Sequence, residues 1–280
     1  MISNVGHKTI KFFRYVLLVI STLIFIFPVL WMGLAAFKPI GQIYDNSKLF
    51  IFEGTIKNWV LAIQSDNLLL YLRNSFFFTM VSTIIVVILS SFAGYALAKL
   101  KMRTGTRKNL SFWFLSMRFL PPLAVLIPIF ILYKKTGLLY HPAGLILAYV
   151  AFNLPLAIWL MEGFFYDVPK ELTEASQIDG SSSFNTFLRI ALPLSTPGLI
   201  STTILTYIFI WNEFIFATIL TTESSRTLPV WASFVTMSHF RVDWTLLGVV
   251  AITMTIPVII FSVLIQKYIV RGLTMGAIKG

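Results

Sequence analysis

Cysteine is absent from all 280 residues, which excludes a disulfide framework, thiol catalysis and cysteine metal sites. Charge is scarce as well. Asp, Glu, Lys and Arg make up 12% of the chain, against about a quarter in a soluble globular domain. Histidine occurs three times, at His7, His141 and His239. The three are scattered without ligand-like spacing, so they are expected at interfaces or in loops, and no metal site is expected. No G-x-x-x-x-G-K-[ST] occurs, so the chain lacks a phosphate-cradling loop and cannot hydrolyse ATP alone.

What is present is apolar. Hydrophobic residues form 57% of the chain, and the mean hydropathy is +0.84. This is a membrane composition, so length counts spans rather than soluble domains. About twenty apolar residues cross the hydrocarbon core as a helix. Charge-free windows of that length run over 15–37, 74–98, 136–161 and 244–266. Two more carry one ionisable residue each: 109–133 contains Arg118, and 196–220 contains Glu213. The expectation is an all-α integral membrane protein with six transmembrane helices. Alternating segments are too few for a barrel. Lys8, Lys11 and Arg14 before the first window resemble a signal peptide, but the apolar run exceeds a signal core, so it reads as a retained anchor.

The net charge of +11 would suggest nucleic acid in a soluble protein; here it reports topology, and no nucleic-acid partner is expected. Six spans put both termini on one side. With the termini cytoplasmic, inner segments hold thirteen Lys and Arg and outer segments eight. The densest cluster, five in residues 99–108, then lies inside. The organisation expected is a first helix and external loop over 1–70, a core over 71–267, and a cytoplasmic tail over 268–280. Prolines 28, 121, 122, 128, 155, 197 and 257 interrupt the spans. Bent helices suit a bundle around a cavity, though purely structural bundles contain them too.

On the inner side lies ELTEASQIDGSSSFNTFLRIALP, residues 171–193, a polar stretch with Asp167, Glu171, Glu174 and Asp179 around it. Pro169 fits the first turn of a helix, and the glutamates suit the positive end of its dipole. Leu172, Ala175 and Ile178 give that helix a narrow apolar edge. Asp179-Gly180 then stops it, since glycine takes the left-handed conformation at a C-terminal cap. Serines 181–183 offer N-caps for a second short helix carrying Phe184, Phe187, Leu188 and Ala191 on one face. Pro193 and Pro197 bracket the turn into the next span. Two short helices joined by a glycine bend form a protrusion. A lipid-binding surface helix would be basic, whereas this one is acidic, so docking of a cytoplasmic protein fits better.

The spacing E-A-S, three residues, G, nine residues, I-x-L-P resembles the EAA loop of binding-protein-dependent ABC transporter permeases. The matching positions are Glu174, Ala175, Gly180, Ile190, Leu192 and Pro193, with Ser176 in place of the second alanine. Arg73-Asn74-Ser75, AGYALAKLK, SMRFLPP, LIPIF, WNEF and the ending QKYIVRGLTMGAIKG are similar to the carbohydrate-uptake branch. Within that branch they are most similar to the smaller, six-span maltose-type permease. The resemblance implies a type I ABC importer permease fold in a bacterial or archaeal cytoplasmic membrane, with its coupling loop at 166–193. It implies four kinds of partner: a second, different permease, a cytoplasmic ATPase dimer holding ATP and Mg, an extracytoplasmic solute-binding protein, and a sugar or polyol as substrate. It assigns the coupling role to Glu174, Ala175, Ser176, Asp179, Gly180, Ile190, Leu192 and Pro193. It also suggests that the tail, with Lys279 and Gly280, reaches the ATPase; the basic tail suits a topology anchor equally well. No cofactor is expected on this chain itself.

Inside the membrane, Arg118 costs at least about 2.5 kcal/mol near mid-span and should face a bundle interior or a watery cavity. Its guanidinium could bond substrate hydroxyls or a gating partner, or it could satisfy carbonyls freed by Pro121 and Pro122. Asn153, Trp211, Asn212 and Glu213 are further candidates for the translocation path, because sugar sites combine aromatic faces with amide and carboxylate bonds. The rival is an ion-coupled secondary transporter of a small solute, which also needs kinked helices and buried charge. It would show internal repeats, and none is evident. A membrane-embedded enzyme would cluster carboxylates or histidines at depth, where Glu213 stands nearly alone.

Overall fold

The computed structural model describes residues 2–64, 67–100, 102–237 and 242–277. Lys101, His239, Arg241, Lys279 and Gly280 lie outside these. In chain order the helices are α1 (Ile2–Phe37), α2 (Lys57–Gln64), α3 (Leu68–Lys99), α4 (Thr104–Met117), α5 (Pro122–Thr136), α6 (Pro142–Tyr166), α7 (Lys170–Ile178), α8 (Ser183–Thr186), α9 (Leu192–Leu194), α10 (Thr196–Trp211), α11 (Ile215–Leu220), α12 (Leu228–Met237) and α13 (Trp244–Ala277). A π-helical turn, Phe187–Ala191, joins α8 to α9. No strand occurs among the described residues.

Among the described residues, four helices are long and apolar enough to cross a membrane: Lys11–Phe37 of α1, α3, α6 and Trp244–Leu264 of α13. Two bent pairs, Gly105–Met117 with Pro122–Thr136 and Ser183–Leu194 with Thr196–Trp211, would bring the number up to six if each pair were one span. The window at 109–133 is one of them. It is expected as a single span, but the chain breaks after Met117 and turns by 88° before Pro122. Pro121 sits at the cap and Pro122 in the first helical position, where a missing N–H costs nothing, so the prolines start α5 rather than kink a longer helix. The window at 196–220 is also interrupted: α10 ends at Trp211, and α11 follows after Asn212, Glu213 and Phe214. The fourth span begins at Pro142 rather than 136, because Gly137 at φ 75° closes α5 and His141 caps α6, its Nδ1 accepting from Ala143 N at 3.2 Å.

Contacts divide the chain into two units. The first comprises Met1–Leu69 and Trp231–Ile256. In it α1 and α13 touch where Gly248 leaves no room: a Cβ there would lie 2.7 Å from Ala36 N. Asn58 donates its amide to the carbonyls of Ala36 and Lys38 at 3.0 and 2.8 Å, pinning α2 to the end of α1. Lys38 is buried, donating Nζ to Leu49 O at 3.2 Å with the rings of Trp31 and Phe52 beside it.

The second unit, Leu70–Val230 with Pro257–Gly280, is organised around α6. Leu145, Ala148 and Tyr149 pack with Phe78, Leu126, Ile210 and Phe216 near its start, and Met161 and Phe165 with Tyr95 and Phe187 near its end. Glycines let neighbours approach closely. A Cβ on Gly94 of α3 would come within 2.8 Å of Glu162 N, and one on Gly198 of α10 within 2.1 Å of the Phe164 ring. Small residues at helix crossings are how membrane bundles gain packing without a hydrophobic driving force.

Candidate functional site

The loop between α6 and α10 is built from its ends inward. α6 stops at Tyr166, and Pro169 enters the next helix at the cap, one position earlier than the first turn expected for it. α7 closes with Gly180 at φ 85°. Gly180 N donates to Gln177 O at 3.1 Å and Ser181 N to Ser176 O at 3.0 Å, the paired bonds of a Schellman motif. Ser182 caps α8, accepting from Asn185 N at 3.3 Å.

The apolar edge of α7 faces outward. Leu172 is 46% exposed and Ile178 86%, and Ala175 and Glu174 are also exposed. Thr173 and Ser176 take the buried side. The Ser176 hydroxyl pairs with that of Thr186 at 3.0 Å, both buried, tying α7 to α8. Serine at this motif position therefore has a partner of its own. Of the second helix's apolar residues, Phe187 and Ala191 are buried, while Phe184 and Leu188 are largely exposed. Phe187 is the hub: Phe92, Tyr95 and Phe165 lie at centroid distances of 5.0, 5.1 and 5.9 Å. Leu192 packs against the same cluster, and Pro193 follows in α9 before the 79° turn into α10.

The polar residues at membrane depth are placed differently. Arg118 occupies the break between α4 and α5. It donates Nη1 to Phe152 O at 3.4 Å, and its guanidinium lies 4.8 Å from the Phe152 ring and 4.9 Å from that of Phe209. The carbonyl it meets belongs to α6, not to the turn before Pro121. Asn153 is buried and donates to Tyr149 O at 2.8 Å, within its own helix. Trp211 is buried and stacks on Tyr207 at 5.8 Å. Asn212 is exposed and donates to Ile208 O at 2.8 Å. Glu213 accepts from Phe216 N and Ala217 N at 2.8 and 3.1 Å, starting α11, and also engages the Tyr149 hydroxyl.

Three cavities lie among the described residues. One of about 610 Å³, in the second unit, runs between α4 and the end of α6, lined by Arg107, Ser111, Trp159, Glu162 and Tyr166. Ser111 donates to Glu162 Oε1 at 2.7 Å across it. Another, of about 530 Å³ in the first unit, is lined by Glu53, Lys57, Asn58, Asp243 and Thr245. A small apolar one of about 170 Å³ lies under Phe152 and Phe216. None of the three is lined by Arg118, Asn153, Trp211, Asn212 or Glu213.

A family model described as "Binding-protein-dependent transport system inner membrane component" matches residues 90–275, which include α7, Gly180 and the aromatic hub. The chain belongs to that family. The trehalose/maltose transport system permease protein MalG of Thermococcus litoralis is 34% identical over 265 residues, 94% of each chain. The trehalose transport system permease protein SugB of Mycobacterium tuberculosis is 36% identical over 255 residues, 90% of this chain and 92% of that one. A crystal structure of a bacterial ABC transporter involved in the import of the acidic polysaccharide alginate matches with a TM-score of 0.78 at 21% identity, covering 94% of this chain and 97% of that one. That last likeness is one of fold. The protein is thus a multi-pass inner-membrane permease of an ABC importer rather than an enzyme, and the secondary-transporter reading has no support.

The residues that sequence reasoning missed in this permease are those behind the motif: Phe92, Thr173 and Thr186. Only their spacing could have marked them, since Phe92 and Tyr95 stand three apart on one helix face.

Proposed function

We propose that this permease imports a sugar or polyol, forms half of a pathway with a second, different permease, and is driven by a cytoplasmic ATPase dimer seated on α7 and α8. An extracytoplasmic binding protein delivers the solute, and ATP and Mg are held by the ATPase. The similarity to MalG and SugB, permeases of trehalose/maltose and trehalose transport systems, supports a small saccharide. The observation that carries the reading is the reversed α7: Leu172, Ala175 and Ile178 point away from the bundle while hydroxyls hold the inner side. Burying an exposed Leu or Ile gains about 1.5–3 kcal/mol each, so this edge suits a groove in a partner. Glu174 beside it offers a carboxylate for charge-assisted bonds that fix direction. Asp179 and Gly180 shape the bend, and Ile190, Leu192 and Pro193 brace it. Arg118, Asn153, Trp211, Asn212 and Glu213 are the residues assigned to the translocation path; Lys279 and Gly280 are assigned to tail contacts with the ATPase.

The deciding experiment measures ATPase co-purification and sugar uptake together. A Glu174→Lys, Gly180→Val double variant is expected to insert normally yet lose uptake, with the ATPase detached or cycling idly. Normal uptake by that variant would remove the coupling role from the loop.

A further inference from the structure

We infer that Lys99 fixes the root of the 166–193 loop to α3, so that force on α7 moves α3 and α6 as one body. The inference rests on α7 being the coupling helix. α6 ends at Tyr166, and the last carbonyls of any helix lack partners within it. Asp167 N and Val168 N turn back on Gly163 O and Phe165 O, each at 3.3 Å. Val168 itself is 5% exposed, and Pro169 then leads the chain away in an extended conformation at φ −56°, ψ 133°. Lys99, the last residue of α3, lays its Nζ on the Val168 carbonyl. Burial and the neighbouring Lys170 charge work against its charge, and Glu171 and Asp167 favour it. A cation here also meets the negative ends of both α3 and α6.

The rest of that α3 face touches the loop in sequence. Tyr95 sits against Phe165 at 5.6 Å and Phe187 at 5.1 Å, and Phe92 against Phe184 at 6.3 Å and Phe187 at 5.0 Å. Positions 92, 95 and 99 share one side of a helix. One stripe of α3 therefore grips the far arm of the loop, its hub and its root. Aromatic contacts can repack along the stripe, whereas a charge-assisted hydrogen bond sets position and direction. Lys99 is the member of the stripe that holds register, a positioning residue for coupling.

The test uses the complete importer, permease with all its partners, reconstituted in vesicles, and reads solute transported per ATP hydrolysed. Lys99→Met keeps the apolar stem and loses the donor; Lys99→Arg keeps a cationic donor. The expected result is a several-fold fall in transport per ATP for Lys99→Met with ATPase co-purification unchanged, and substantial recovery in Lys99→Arg. Wild-type stoichiometry in Lys99→Met, or no recovery in an assembled Lys99→Arg complex, overturns the inference. Because the chain has no cysteine, Lys99→Cys with Val168→Cys gives a second route. A short cleavable thiol cross-linker should restore coupling and its cleavage abolish it in the same sample, and an indifferent cross-link counts against the inference. Gly180→Val run in parallel separates the two readings. If it uncouples while Lys99→Met does not, only the Lys99 inference fails; if neither uncouples, the coupling loop fails and takes this inference with it.

Discussion

Gly180 adopts φ 85°, yet a Cβ built there would meet nothing within 4 Å. The constraint is one of backbone and not of space. An L-residue held in the left-handed region costs about 1–2 kcal/mol, less for asparagine and more for a β-branched side chain. Gly180→Asn should therefore keep most of the uptake and Gly180→Val should lose it, although the two side chains are of similar bulk. Equal uptake by the two variants, measured at equal membrane content, would mean that the Schellman turn is not what α7 needs. Arg118 presents the opposite case, a side chain fixed by its surroundings. Its planar guanidinium lies between two phenyl faces and reaches a carbonyl, a setting that lysine reproduces poorly. Arg118→Ala and Arg118→Lys should both cut uptake while the complex still assembles. Loss of the complex in detergent would instead give Arg118 a holding role alone.

At the scale of elements, the second half of the loop depends on Phe187. It is 3% exposed and is shared by α3, α6 and α8. Phe187→Ala should destabilise the permease by about 3–5 kcal/mol, read as a lowered melting temperature of the purified complex. Ser176→Leu should act at the contact between α7 and α8, forcing bulk against the buried Thr186, with overpacking typically worth about 1–3 kcal/mol. The sequence made the apolar windows and the glycine stop legible, because hydropathy sums and a left-handed cap are local properties. It hid the 88° turn at Arg118, because a hydropathy window counts apolar residues without regard to their direction. It also left the facing of α7 open. An apolar edge normally points to its own core, but here hydroxyls point inward and Leu172 and Ile178 outward, a pattern that supports the proposal that this edge docks on another chain. Glu213 and Asn153 stay proposed path residues, but the partners the structure gives them, a helix's own N–H groups and carbonyl, are ones that sequence cannot tell from a substrate hydroxyl.

At the scale of the whole molecule, every functional assignment above requires α7 to face the compartment that holds ATP. Lys and Arg number thirteen against eight in favour of that orientation, with Lys99, Arg103, Arg107 and Lys108 among the inner residues. Charge near span ends sets orientation during insertion, and the cluster at 99–108 lies between two long apolar segments, where the bias is strongest. α3 is 32 residues, about 48 Å long, and exceeds a hydrocarbon core of about 30 Å, so its Lys99 end emerges on the side where the loop lies. The 38–56 loop is one expected crossing, along α3, away from Lys99, so the opposite face is expected for it. Reporter fusions after Arg107 and after Lys170 should both read cytoplasm, and one after Glu53 should read the exterior. The fusion at 170 is the decisive one. An exterior reading there would place α7 beyond the reach of any ATPase, and the exposed Leu172 and Ile178 would need a partner outside the cell instead.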